Sequence, residues 1–196
     1  MTTDKKNGTP AEDAKQVSEK FFYSGLCFEQ GFKALFQLYH TCESSQAKNR
    51  YILPVCFELA HALECYFKAY LSFQGMTVKE LRKHEFGHNL ENLHKAAVEK
   101  GLYAIVLPPD DGGLKVDTDK LQKDNESIKK DIQELVESLH RIHCGEDDYA
   151  DRYVKYDTET GYPTFIRGTG KAITDLQRVL LTKMPAPRIS WSNKVN

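Results

Sequence analysis

The feature that most constrains this chain is the apolar stretch at residues 55–73. There Leu59, Leu63, Tyr66, Phe67, Tyr70 and Leu71 recur at three- and four-residue spacing. That period is helical, and a stripe this wide has to be covered from more than one side. The stretch therefore predicts the central helix of an all-α bundle. Gly75 supplies its stop, Asn49 an N-cap, and Pro54 a residue suited to the first helical turn.

Other helices follow from the same period. A long one is expected to start at Ala11, with Val17, Phe21, Ser24, Leu26, Phe28, Phe32, Leu35, Phe36 and Leu38 on its seam. Gly25 and Gly31 on it offer either a close helix approach or a bend. Shorter helices are expected at residues 77–83 and 89–100, the second turning Leu90, Leu93, Ala96 and Ala97 inward. Pro108, Pro109, Gly112 and Gly113 mark residues 102–113 as a loop, although Tyr103 to Leu107 is apolar enough to be extended. A long amphipathic helix over 119–143 carries Leu121, Ile128, Ile132, Leu135, Leu139 and Ile142. An acidic, tyrosine-rich connection over 144–168 leads to a last helix at 169–183. The resulting expectation is an up-and-down bundle over residues 11–184, with a disordered tail at 1–10 and a loose one at 185–196.

Charge and cysteine usage narrow the function classes. Lys and Arg number 27 against 28 Asp and Glu, a net charge of -1, so a nucleic acid would have to be met by a local patch rather than a basic field. No polybasic run, no apolar leader and no stretch of about 20 apolar residues stands out, so no membrane partner is expected and the cytoplasm is the expected location. The five cysteines (Cys27, Cys42, Cys56, Cys65 and Cys144) form no Cys-x-x-Cys pair. They are expected to be reduced thiols packed as small core residues.

Two strings carry chemistry. His84-Glu85-Phe86-Gly87-His88 satisfies H-E-x-x-H, in which two histidines one helical turn apart hold zinc and the glutamate acts as a base. That chemistry requires one unbroken helix. Val78 and Leu81 define one apolar direction, whereas Phe86, Leu90, Leu93 and Ala97 define another, rotated by roughly 120° at about 100° per residue. A phase jump of that size predicts a corner at Gly87, so no metal is expected and a zinc hydrolase is the distant alternative. The second string is His61, Glu64 and Lys68 on the apolar helix. Glu64 and Lys68 are in the favourable order for an ion pair, either as a brace within the bundle or, with His88, as a polar site.

The run LPVCFELAHALECYFKAYL followed by GHNLENLHKAA resembles the HEPN superfamily, whose members show Glu-x-x-x-Lys-Ala-x-Leu at the end of an apolar helix and Gly-His-x-Leu opening the next. The matching residues here are Glu64, Lys68, Ala69 and Leu71, then Gly87, His88 and Leu90. The string DRYVKY, with Arg152, Tyr153 and Tyr156, is similar to an Arg-Tyr element of some relatives. The resemblance implies a helical bundle, often a homodimer, of the kind found in phage-defence, toxin–antitoxin and RNA-processing systems. It implies no cofactor. Catalytic members cut RNA without a metal, using an Arg and a His a short spacer apart and commonly paired across the dimer. Only Arg82 and His88, with five residues between them, approach that spacing, and they lie early in the chain rather than on a late helix. The expectation is therefore a non-catalytic module that binds a partner protein, a nucleotide or RNA, with a ribonuclease using Arg82 and His88 as the alternative. His88, His61, Glu64, Lys68, Arg152, Tyr153 and Tyr156 are its candidate binding residues.

Weaker signals have simpler readings. Gly168-Thr169-Gly170-Lys171 lacks the upstream glycine of a phosphate loop, and Asp110-Asp111-Gly112-Gly113 lacks the remaining ligands of a calcium loop. His140 and His143 near a helix end suit capping. The aromatics from Tyr149 to Phe165, interleaved with Arg152, Lys155 and Arg167, suit either the stacking of bases or the covering of a bundle end.

Overall fold

A computed structural model describes residues 10–105, 117–143 and 169–184. The described residues form six helices and no strand: α1 (Pro10–Thr41), α2 (Ser45–Phe73), α3 (Val78–Leu81), α4 (Leu90–Glu99), α5 (Thr118–His143) and α6 (Thr169–Lys183). α1 and α2 form a long antiparallel hairpin, α1 alone running to about 48 Å at 1.5 Å per residue. α4, α5 and α6 pack on the remaining sides of α2, so the expected central helix is central. No helix of the described residues is long and apolar enough to cross a membrane.

Local chemistry explains several of the ends. The Thr77 hydroxyl and the Glu80 side chain form a reciprocal capping box on α3, and the Asn89 side chain accepts from the Asn92 amide to start α4. Gly75 and Gly101 adopt φ of 92° and 82°, the left-handed region that favours glycine. After each, the next amide turns back into its helix, Met76 to the Leu71 carbonyl and Leu102 to the Ala97 carbonyl.

α2 begins earlier than its proline suggested. Ser44 is the cap, its side chain accepting from the Ala47 amide at 3.2 Å, while Asn49 and Pro54 lie inside the helix. Pro54 removes one backbone hydrogen bond. It sits on an exposed position, where water can satisfy the carbonyl left without a donor. Pro10 likewise belongs to α1 rather than to a tail, as its first residue.

The seam of α1 differs in phase from the expected one. The buried positions are Ser18, Phe22, Gly25, Glu29 and Phe32, spaced four, three, four and three apart. Phe21, Leu26, Phe28, Leu35 and Phe36 are half-buried, Ser24 is exposed and Leu38 is 47% exposed. Two seam residues are polar because α2 receives them: Ser18 donates to the Ala69 carbonyl at 2.8 Å, and Glu29 accepts from the Tyr66 hydroxyl. Gln177 of α6 donates to both Glu29 and Tyr66. Lys33 Nζ lies 2.6 Å from the other Glu29 oxygen. This buried carboxylate joins three helices, and its environment, with burial first and the Glu29 hydrogen bond second, raises the Tyr66 hydroxyl pKa far above its ordinary value.

Two further expectations change. Leu121 is exposed, and the α5 seam begins at Ile128. Residues 102–104 are turns and a bend, in keeping with the expected loop. Cys27 is exposed and Cys42 and Cys65 are half-buried, so Cys56 alone of the four described cysteines sits in the core. Burial pushes the Cys56 and Cys65 thiols up to about 12, which leaves both protonated near neutrality.

A β-carbon on Gly25 would stand 2.6 Å from the ring of Tyr66, which Glu29 and Gln177 hold in place. Gly25→Ala is expected to destabilise the protein by about 1–3 kcal/mol despite a gain in helix propensity. Gly170→Ala, in open space on α6, is expected to be neutral or stabilising by up to ~1 kcal/mol. Urea denaturation of the two variants reads the contrast.

Candidate functional site

The site is built where α2 passes beneath the corner joining α3 to α4. Residues 82–89 form turns, not helix. The Phe86 and Gly87 amides both return to the Lys83 carbonyl, at 2.9 and 2.7 Å. Asn92 Nδ2 donates to the Glu85 carbonyl at 2.8 Å, tying the corner to the first turn of α4. The corner expected at Gly87 is therefore present, and α3 and α4 are separate helices.

Beneath it lie two buried charges. Glu64 and Lys68, with side chains 8% and 9% exposed, pair at 2.6 Å through Oε1 and Nζ. Lys68 also donates to the Gly87 carbonyl. The second Glu64 oxygen lies 3.1 Å from Nδ1 of His88. A carboxylate can only accept, so the Nδ1–H of His88 is the donor. One buried carboxylate thus holds both the lysine that anchors the turn and the imidazole the turn presents. The His88 side chain remains 66% exposed.

The other expected site residues are distributed differently. Arg82 caps the end of α3, is exposed, and makes no side-chain hydrogen bond or ion pair among the described residues. His61 donates Nδ1–H to the Phe57 carbonyl at 2.8 Å and stacks on Phe28 with centroids 5.0 Å apart, which places it in the α1–α2 interface. Arg152, Tyr153 and Tyr156, with the aromatic run around them, lie outside the described residues.

The zinc motif needs His84 and His88 one turn apart on a single helix, and the backbone between them is a succession of turns. Among the described residues no three His, Cys, Asp or Glu side chains gather in a way that would hold a metal ion. His140 packs beside Glu91 of α4 at 3.8 Å with a largely buried ring, so its role is contact between α4 and α5 rather than capping. Thr169, in the weak phosphate-loop string, is buried at the start of α6, and Lys171 pairs with Asp175.

No family model, curated protein or solved structure matches this chain.

Sequence reasoning missed His94. This α4 residue is buried against Phe67, with centroids 5.3 Å apart, and its Nε2 meets the Tyr103 hydroxyl at 3.2 Å. Its place between Leu93 and Ala97 on the inward arc was the available signal.

Lys68→Met would leave Glu64 buried without its main counter-charge, and a loss of about 3–5 kcal/mol is expected. Combining it with Glu64→Gln is expected to cost less than the sum of the two single changes, by about 0.5–3 kcal/mol. A double-mutant cycle from denaturant melts measures both, and additive losses would mean that the pair does not act as a unit.

Proposed function

We propose that this chain is a non-catalytic HEPN-like helical module that binds RNA, a nucleotide or a partner protein through the corner presenting His88, in the manner of modules in defence or toxin–antitoxin systems. The observation that carries the reading is the burial of two charges to hold an exposed imidazole. Buried ions are costly and seldom better for stability than apolar residues of similar volume. A Glu–Lys pair that reaches up to a turn carbonyl and a surface histidine is better explained by presentation of that histidine than by stability. A neutral imidazole accepts and donates hydrogen bonds, and a protonated one meets phosphate or carboxylate groups.

The reading favours binding over cleavage because Arg82 has no group among the described residues that holds its guanidinium toward His88. The second reading, a metal-independent ribonuclease using Arg82 and His88, draws support from the Glu64 hydrogen bond. A carboxylate that orients an imidazole is the arrangement used when histidine acts as a general base.

Both readings meet in one experiment with labelled single-stranded RNA and with ATP as probes. Affinity for the bound probe is expected to fall about tenfold or more in His88→Ala, the scale of losing a hydrogen bond to a charged group, with no cleavage product from the parent chain. RNA cleavage abolished by His88→Ala and by Arg82→Ala would instead establish the ribonuclease. Binding that is indifferent to His88 would remove the corner from the function.

A further inference from the structure

Residues 100–104, the turn that ends α4, collect hydrogen bonds from three other helices. Tyr70 of α2 gives its hydroxyl to the Lys100 carbonyl at 2.8 Å. Asn125 of α5 gives Nδ2 to the Tyr103 carbonyl at 3.1 Å. Lys183 of α6 gives its ammonium to the Ala104 carbonyl. From α4 itself, His94 reaches the Tyr103 hydroxyl. The groups around His94 are Phe67 of α2, which is apolar, Tyr103 of the turn, and Lys129 and Glu137 of α5.

The geometry points to an acid-released clasp: protonation of His94 opens the turn at 100–104 and frees α4 from the bundle while α1 and α2 stay paired. The His94 ring is buried, and among the described residues no carboxylate is hydrogen-bonded to it, so a charge there would be poorly compensated. Burial first, and the ammonium of Lys129 second, hold its pKa down to about 4, against an ordinary 6.5, with Glu137 opposing them. Above pH 6.5 both the closed and the open states are neutral and nothing changes. Between 6.5 and about 4 the open state takes up a proton that the closed state refuses, so opening grows as pH falls.

The opening is local for two reasons. α4 has ten residues, too few to persist as a helix without its neighbours. α4 and its turn pack on α2 and α5 over a short interface, whereas α1 and α2 pair along most of their length. α4 carries the corner at its other end, so its release also withdraws His88 from Glu64. That functional consequence rests on the reading proposed above, but the clasp itself does not.

Amide hydrogen exchange followed by mass spectrometry, on the full chain without ligand and corrected for intrinsic rates, tests it. Between pH 7 and pH 5, peptides covering α4 and residues 100–104 are expected to lose protection about 20-fold, from one proton linked to opening, while α2 peptides are unchanged. His94→Gln, which keeps a polar partner for Tyr103 and does not titrate, is expected to abolish the step. A loss shared equally by α1 and α2, no loss, or the same loss in His94→Gln would overturn the clasp. Should that variant not fold, the ring of His94 followed by NMR in the parent chain decides: titration in step with α4 exchange sustains the inference, and independent titration overturns it. Failure of RNA or ATP binding at pH 7, with the clasp step intact, would count against the functional reading alone.

Discussion

The structure depends on the enclosure of α2. α1, α4, α5 and α6 all lean on it, and its stripe from Val55 to Leu71 is excluded from water. Enclosure on that scale supplies the main driving force for the fold. It also imposes an obligation, because every polar group on the helix must find a partner inside the protein. Tyr66 is met by Glu29 and Gln177, Tyr70 by the Lys100 carbonyl, and Glu64 and Lys68 by each other. Ser72 is the exception, its hydroxyl buried without a hydrogen-bond partner among the described residues.

The way these obligations are met organises the rest of the molecule. The Tyr66 hydroxyl draws a carboxylate from α1 and an amide from α6 into one point, which fixes how the first and last described helices sit against the centre. The Glu64–Lys68 pair does the same for the corner between α3 and α4, through the Gly87 carbonyl and His88. Tyr70 reaches the other end of α4. A ten-residue helix is thus pinned at both ends by polar side chains of α2, while Leu90, Leu93 and Ala97 fill the space between. The candidate site and the packing of α2 are one set of interactions.

Much of this was legible in the sequence. The burial of Leu59, Leu63, Tyr66, Phe67, Tyr70 and Leu71 followed from periodicity, and the corner at Gly87 from a phase jump between two apolar faces. The pairing of Glu64 with Lys68 followed from i,i+4 spacing on an apolar helix. The α1 seam did not follow, because hydrophobic periodicity does not count Ser18, Gly25 or Glu29, three of its five positions. Their burial is favourable only because α2 brings a carbonyl, a ring and a hydroxyl opposite them. Leu121 failed for the converse reason: its apolar character matched the α5 period, but its side chain is left exposed. Pro54 misled because a helix tolerates an interior proline on an exposed face.

What the amino-acid sequence determined by itself is local and periodic: the helices, the glycine stops and the break that makes the corner. These depend on neighbours within a few residues, where backbone geometry and side-chain type suffice. Only the tertiary structure decided which polar groups are buried and whom they meet. It placed His88 over Glu64, His61 in the α1–α2 interface instead, and Glu29 beside Tyr66 and Gln177. Such contacts join residues distant in the chain, and whether a charge is tolerated at a position is set by what the other helices bring to it.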